Sequence, residues 1–380
     1  MKRKIFSEEH FMFQESVRTF MKREVEPYYE EWEKDGKVSK DLWLKAGKIG
    51  MLCPDFPEEY GGIGISDFRY NAIITEELAR VGGSGPGFMV HNDINAPYFI
   101  QYCNNEQKKR FMPNIASGEW ITSIAMTEPN AGSDLQGIKT TAVKDNDHYI
   151  INGSKTFISN GIMSDVIILV AKTNAKEALQ GLSLFIIESG FNGFFRGKNL
   201  DKIGMKGQDT AELYFNNMKV PINNLLGEEG RGFYYLMHNL PRERLSMAIS
   251  GLASAEAALT LTIDYCKTRM AFGKPIGKFQ NAKFKLAEMK TWITIARSFV
   301  DDCILDLNEG TLSTEKASMA KYWVTDMQCQ LIDECLQLHG GYGYMNEYKI
   351  ARFFRDARAQ RIYGGTNEIM KEIIGHNMGF

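Results

Sequence analysis

Between positions 245 and 263, apolar residues recur at Leu245, Ile249, Leu252, Leu259 and Ile263, spaced by four, three, seven and four. That spacing is one face of an amphipathic helix. Pro241 can occupy a first helical turn because its missing N–H is not needed there. The pattern therefore predicts a helix from about Pro241 to Arg269, with Glu243 in its first turn, where the helix dipole favours a carboxylate. The run Ala271-Phe-Gly-Lys-Pro275 stops it. Similar periodicity over 242–269, 279–308, 313–338 and 347–375 predicts four long helices, a number that favours a bundle.

The first third also reads as helical. Ser7 is placed to cap a helix carrying Phe11, Phe13, Val17 and Phe20. Ser39 opens a second helix that Gly47 ends. Ser66 opens a third, through Ile73, Ile74 and Leu78 to Arg80. An apolar segment runs from Phe88 to Tyr102, and a short polar helix from Asn105 is stopped by Pro113. The texture changes near Ile121. Tyr149-Ile-Ile, Thr156-Phe-Ile-Ser, Val166-Ile-Ile-Leu-Val and Leu182-Ser-Leu-Phe-Ile-Ile are β-rich runs, with Asn152-Gly153, Asn160-Gly161 and Asn192-Gly193 as turn signals. The expected organisation is an N-terminal helical domain (1–122), a middle antiparallel β domain (123–228) and a C-terminal four-helix bundle (229–380).

Lys plus Arg number 45 and Asp plus Glu 47 among the 380 residues, a balance that argues against a dedicated nucleic-acid binder. Any phosphate must then be held by local geometry. The six cysteines form no C-x-x-C pair and suit a reducing compartment. The start, Met1-Lys-Arg-Lys-Ile-Phe-Ser-Glu-Glu, has no apolar signal core, and no run of about 18 apolar residues suggests a membrane span. The expected location is the cytoplasm, or an organelle matrix as a mature form.

Several chemistries are excluded by what the chain lacks. There is no G-x-G-x-x-G after a strand, no G-x-x-x-x-G-K-[ST] loop, no G-x-S-x-G elbow and no H-E-x-x-H. The histidines have no glutamate three residues before them, which argues against a di-iron bundle, and no metal site is expected.

Five segments carry candidate chemistry: Ile124-Ala-Met-Thr-Glu-Pro-Asn-Ala-Gly-Ser-Asp134, Lys155-Thr-Phe-Ile-Ser-Asn-Gly161, Arg269-Met-Ala-Phe-Gly-Lys-Pro-Ile-Gly-Lys-Phe-Gln280, Gln337-Leu-His-Gly-Gly-Tyr-Gly343 and Ile362-Tyr-Gly-Gly-Thr-Asn-Glu368. The first exposes backbone N–H groups and hydroxyls suited to a planar polar ligand. Taken singly, each also reads as an ordinary strand exit, hairpin or glycine C-cap. Together, and in this order, they resemble the acyl-CoA dehydrogenase family over nearly the whole chain. Leu240 to Arg244 and Tyr363-Gly-Gly-Thr-Asn-Glu-Ile-Met-Lys-Glu372 look most like the long-chain branch.

That resemblance implies a flavoprotein with FAD between the β domain and the C-terminal bundle. It implies isoalloxazine contacts from Ile124, Ala125, Met126, Thr127, Gly132, Ser133, Phe157, Ile158 and Ser159. Thr366, Asn367 and Glu368 would flank the flavin and its ribityl chain. Arg269, Phe272, Gln280, Gln337, Leu338, His339, Gly340 and Gly341 would reach the pyrophosphate and adenosine from a partner subunit. Ala271 departs from the family pattern, in which many relatives place a threonine on the pyrophosphate. Helix geometry bears on this independently: Glu243 and Arg269 are 26 residues apart, roughly 39 Å on one straight helix. That exceeds an extended FAD, so if both serve flavins they serve different copies. A homo-oligomer, dimer or dimer of dimers (a homotetramer), is expected.

Many family members carry the catalytic glutamate directly after the tyrosine of the last segment, where this chain has Gly364. In the long-chain and isovaleryl branches a glutamate on the bundle helix serves instead, and Glu243 occupies that place. The resemblance therefore implies that Glu243 removes the α-proton of a fatty acyl-CoA while the β-hydride passes to the flavin, giving trans-2-enoyl-CoA. The backbone N–H of Gly364 would polarise the thioester carbonyl. Ser133, Tyr234, Pro241, Arg242, Arg244, Gly364 and Gly365 fall at substrate-contact positions. Gly85 and Gly87 are expected to deepen the acyl pocket, and Asn92 and Asp93 to close it or tolerate a functionalised chain. Electrons would leave to electron-transfer flavoprotein. An acyl-CoA oxidase, or a non-catalytic acyl-CoA-binding protein on the same fold, are the alternatives.

Overall fold

The computed structural model describes residues 3–174, 177 and 181–380. The first helical layer comprises α1 (Glu8–Glu24), α2 (Tyr29–Asp35), α3 (Lys40–Lys48), α4 (Phe68–Arg80), a π-helix at Val90–Asn95, α5 (Ala96–Tyr102) and α6 (Asn105–Ala116). Local signals differ from expectation at three places. Asp67, not Ser66, caps α4, accepting from the Arg69 N–H at 3.0 Å. α3 ends at Lys48, one residue after the expected stop at Gly47, but the glycine's role there is packing: a Cβ would stand 2.2 Å from the Ser117 carbonyl oxygen. Pro113 sits within α6, which continues to Ala116.

The middle of the chain forms β1 (Thr122–Ala125), β2 (Thr141–Asp145), β3 (His148–Ser159), β4 (Val166–Lys172), β5 (Leu182–Glu188), β6 (Phe194–Asn199), β7 (Thr210–Pro221) and β8 (Leu225–Leu226). Seven run in the order β6-β7-β3-β2-β4-β5-β8, and β1 pairs with β4. The sheet is mixed, not purely antiparallel, because β1–β4 and β2–β4 are parallel. Asn152-Gly153 is not a turn. It lies inside β3 at a register shift against β7, with Gly153 at φ +150° and no room for a Cβ beside Thr140. β4 and β5 are buried along nearly their whole length, because helices pack on the face that a free sheet would show to water.

α7 (Gly232–Thr268) is one helix of 37 residues. It begins well before Pro241, which lies in its interior. Glu243 is therefore in the body of the helix, and the first-turn dipole argument does not apply to it. The stripe Leu245, Ile249, Leu252 and Leu259 is buried and Ile263 half-buried. They pack against α8 (Gln280–Glu309) and α9 (Thr314–His339). By length and composition α7 could cross a membrane, contrary to the expectation that no such segment exists. In this fold 67% of its most apolar window is buried inside the protein, as a core helix requires. A two-stranded hairpin, β9 (Met270–Ala271) and β10 (Lys274–Pro275), follows α7. The fourth long helix is in fact two, α10 (Lys349–Ala357) and α11 (Asn367–Asn377). Between them Gly364 and Gly365 take φ +65° and +88°, a left-handed backbone that interrupts the helix. The six cysteines are unpaired, Cys335 buried and Cys329 half-buried.

Candidate active site

A cavity of about 850 Å³ lies where the helical layer, the sheet and the bundle meet. One wall is the face of α7 bearing Phe233, Leu240, Glu243, Arg244, Met247 and Ser254, roughly 30 Å of helix at the usual rise. Val90 and Ile94, brought to one face by the π-helix, form an apolar cluster with Met247 that Ile124 and Tyr363 join. The opposite rim comes from the sheet: Ile124 and Met126 at the exit of β1, and Phe157, Ile158 and Ser159 at the end of β3.

These rims are pinned by one fully buried lysine. Lys155 Nζ donates to the Met126 carbonyl and to Glu128 Oε1, each at 2.9 Å. Glu128 also accepts the N–H groups of Lys139 and Thr140. A buried charge needs such partners, and here they fix the loop carrying Thr127, Gly132 and Ser133. Phe157 holds φ +59° and leaves most of its ring exposed.

Glu243 is 5% exposed. The Tyr98 hydroxyl donates to its Oε1 at 3.2 Å, and no donor among the described residues reaches Oε2. Burial pushes the carboxyl up to about 7, against a smaller opposing pull from Tyr98 and from the Arg244 charge. A carboxylate poised near neutrality is suited to proton transfer. Arg244 is buried and donates from Nη1 to Ser318 Oγ at 3.2 Å, while its Nε has no partner. It makes no ion pair among the described residues, so its charge is left for the cavity.

Across from Glu243 stands the loop Tyr363 to Thr366. The N–H of Gly364 has no acceptor among the described residues. Lys321, buried in α9, donates to the Gly365 carbonyl at 2.7 Å and to Asn367 Oδ1 at 2.9 Å. Asn367 is also hydrogen-bonded to Thr325 and Asp326. The loop is thus tied from behind, and Gly364, Gly365 and Thr366 line the cavity.

Of the residues expected at the flavin or substrate, thirteen line this cavity: Ile124, Met126, Thr127, Gly132, Ser133, Phe157, Ile158, Ser159, Glu243, Arg244, Gly364, Gly365 and Thr366. Others do not. Ala125 is in the sheet core. Tyr234 is largely exposed under the Arg231 guanidinium. Pro241 is inside α7 on another face. Arg242 pairs with Asp55 at 2.7 Å and covers the Phe68 ring. Asn367 is the buried anchor just described, and Glu368 faces solvent. Asn92 and Asp93 also stay out of the cavity. Asn92 accepts the Cys53 N–H and donates to the Met51 carbonyl, and Asp93 accepts from Asn71 and Thr75. Gly87 does line the cavity, but a Cβ there would lie 2.1 Å from Asn160 Oδ1, so its lack of a side chain serves packing; Gly85 packs against Gly207 and does not line it.

A second cavity of about 470 Å³ lies at the far end of α7, lined by Arg269, Gln337, Leu338, His339, Gly340 and Gly341 among others. It shares no residue with the first. The Tyr265 hydroxyl donates to the His339 carbonyl at 3.2 Å, and the two rings stack. Arg269 lies over Tyr342 and has no ion-pair partner among the described residues. Gly340 and Gly341 leave open space where a Cβ would stand. Phe272, at φ +49° on the β9–β10 hairpin, is 95% exposed. Neither it nor Gln280 lines this cavity.

Three family models match the chain in order: the acyl-CoA dehydrogenase N-terminal domain over residues 7–119, middle domain over 123–218 and C-terminal domain over 230–379. The chain belongs to the acyl-CoA dehydrogenase family. It is 51% identical over 378 residues to the mitochondrial long-chain specific acyl-CoA dehydrogenase of Sus scrofa, covering 99% of this chain and 88% of that one. Among solved structures it resembles an acyl-CoA dehydrogenase from Geobacillus kaustophilus, with TM-score 0.97 and 49% identity over 99% and 100% of the two chains. It also resembles the acyl-CoA dehydrogenase complexed with FAD from Bacillus anthracis, with TM-score 0.92 and 34% identity, covering 98% of this chain and 67% of that one.

The first cavity fits a flavin on its own features. Gly132 leaves open space where a Cβ would crowd a ring. The hydroxyls of Thr127, Ser133, Ser159 and Thr366 line it, and Gln328 and Gln360 each present a buried oxygen without a partner. Family membership makes the chain a flavin-dependent oxidoreductase acting on CH–CH bonds. Sequence patterns did not single out Tyr98, Met247 or Lys321. Tyr98 reads as one more aromatic in an apolar run, and Lys321 is the sole charge between Ala317 and Val324, the only hint that it is buried for a purpose.

Proposed function

We propose that this acyl-CoA dehydrogenase oxidises long-chain fatty acyl-CoA to trans-2-enoyl-CoA, with Glu243 as the α-proton base. The observation that carries the reading is the buried Glu243 carboxylate sharing one apolar cavity with the unpaired Gly364 N–H. Bound FAD supplies the acceptor for the β-hydride. Gly364 donates to the thioester oxygen and stabilises the charge that develops there. Glu243 takes the proton from the adjacent carbon, and the apolar cluster of Val90, Ile94 and Met247 excludes water around it. Arg244 adds a fixed positive charge beside the base. The length of cavity wall along α7 favours a long acyl chain.

Electrons then pass to electron-transfer flavoprotein. The second cavity, far from Glu243 along one continuous helix, supports a dimer in which Arg269 and the Gln337–Gly341 turn hold the partner's FAD. Two such dimers would make the tetramer. Six unpaired cysteines support a reducing compartment such as the cytoplasm.

The test is anaerobic titration of the yellow holoenzyme with acyl-CoAs of graded length, using wild type and Glu243→Gln. Wild type should bleach best with long chains, and Glu243→Gln should keep its flavin but not bleach. Equal bleaching of the two proteins would remove Glu243 from the mechanism.

A further inference from the structure

The Glu243 carboxylate has one hydrogen-bond donor among the described residues, and it comes from a different helix. Tyr98 is completely buried in α5 and is not part of the cavity wall, so it backs the acid from the protein side. The π-helix at Val90–Asn95 immediately precedes α5 and offsets its register. Within it, Val90 and Ile94 are brought to the cavity. Downstream, it turns the Tyr98 ring toward α7.

We propose that Tyr98 is a positioning residue for the base, holding the Glu243 carboxylate toward the substrate and giving it the hydrogen bond that its ionised form accepts. The inference rests on the reading of Glu243 as the base. A carboxylate buried among apolar groups has many rotamers in which it would lean away from a thioester. A phenol fixed on a second helix selects among them. Asn239, one turn before Glu243 on α7, is buried and donates from Nδ2 to the Tyr235 carbonyl at 3.3 Å.

Other charged or titratable groups near this pair have partners of their own or act only at a distance. On α7, Arg244 is hydrogen-bonded to Ser318 and reaches Glu243 through its charge alone. Arg242 is committed to Asp55. On α5, Tyr102 faces His238. On the π-helix, His91 contacts Thr122 and the Ile115 carbonyl, and Asp93 accepts from Asn71 and Thr75. From the glycine loop, Tyr363 presents a half-buried phenol whose desolvation keeps it neutral. Tyr98 is thus the group through which the protein can adjust the acid.

The experiment is the pH profile of anaerobic flavin reduction by a long-chain acyl-CoA, in FAD-loaded wild type, Tyr98→Phe and Glu243→Gln. For Tyr98→Phe the acid limb should move up by about one pH unit and the rate at neutral pH should fall roughly five- to tenfold. KM should change little. Replacing Tyr98 by 3-fluorotyrosine, a stronger donor that preserves the packing, should move the limb the opposite way, and it decides the matter if Tyr98→Phe does not fold. If Glu243→Gln is inactive while both Tyr98 variants keep the wild-type profile, Tyr98 only packs and the proposal is overturned. If Glu243→Gln reduces flavin like wild type, the base assignment itself falls and this inference with it.

Discussion

A Cβ on Gly364 would fall 2.1 Å from Cε and 2.3 Å from Sδ of Met247. The methionine thus fills the space into which a side chain at 364 would project. This relationship bears on the alternative position of the family's base. Moving the acid by Glu243→Gly with Gly364→Glu places a glutamate at φ +65°, where a Cβ costs about 1–2 kcal/mol, and drives it into Met247. The double variant should recover little of the activity lost in Glu243→Gly. Adding Met247→Ala should raise flavin reduction by about tenfold or more. Rapid-reaction measurements on the three proteins check this, and equal rates for the double and triple variants would show that Met247 is no obstacle.

Burial of Glu243 also predicts an effect on stability. Its folded-state value of about 7 lies above that of an exposed glutamate. Between those two values the folded protein holds a proton that the unfolded chain has lost, so stability falls as pH rises through that window. Above it the ionised acid costs up to about 3 kcal/mol. Glu243→Gln should therefore raise the melting temperature of the apoprotein at pH above neutrality and have little effect in acid. A stabilisation independent of pH would contradict the burial argument.

The three-part organisation was readable because each part repeats its period many times: the α7 stripe through Leu245, Ile249 and Leu252 is buried as its spacing required. Local punctuation was less informative. Pro241 and Pro113 both read as ends and both lie inside helices, because tertiary packing outweighs a single unfavourable residue. Asn152-Gly153 read as a turn and lies at a register shift inside β3, because Thr140, just before β2, occupies the space a Cβ would need. In the site, Glu243 could be singled out only through the family pattern and the glycine at 364. The groups that hold it and its opposite loop come from α5 and α9, far away in sequence, where Tyr98 and Lys321 look like ordinary members of helical runs.

Lys321 ties α9 to the Gly364–Gly365 loop through the Gly365 carbonyl and Asn367. Lys321→Met keeps most of the volume but leaves both acceptors without their donor, at a cost of about 1–3 kcal/mol. The loosened loop should also lower the rate of flavin reduction more than it weakens acyl-CoA binding. Asn367→Ala should act in the same way. Because the two side chains form one network, the double variant should be less impaired than the sum of the single effects. Additive losses in melting temperature and in reduction rate would argue that the two residues act separately.

The separation of Glu243 from Arg269 along α7 makes the subunit-crossing reading testable by complementation. Suppose Arg269 holds the flavin that serves the partner's Glu243. A dimer of one Glu243→Gln chain and one Arg269→Ala chain then contains one site with both residues intact and one with neither. Each variant alone should be inactive at limiting FAD, the first for want of a base and the second for want of its flavin. Chains that pair at random form mixed dimers half the time, so co-expression should restore roughly a quarter of wild-type activity. If Arg269 instead served the flavin of its own chain, every site in the mixture would lack one of the two residues, and co-expression would restore nothing. The measurement is flavin reduction by the co-expressed mixture, and by the mixed dimer isolated with a different affinity tag on each chain, where about half the wild-type activity per dimer is expected.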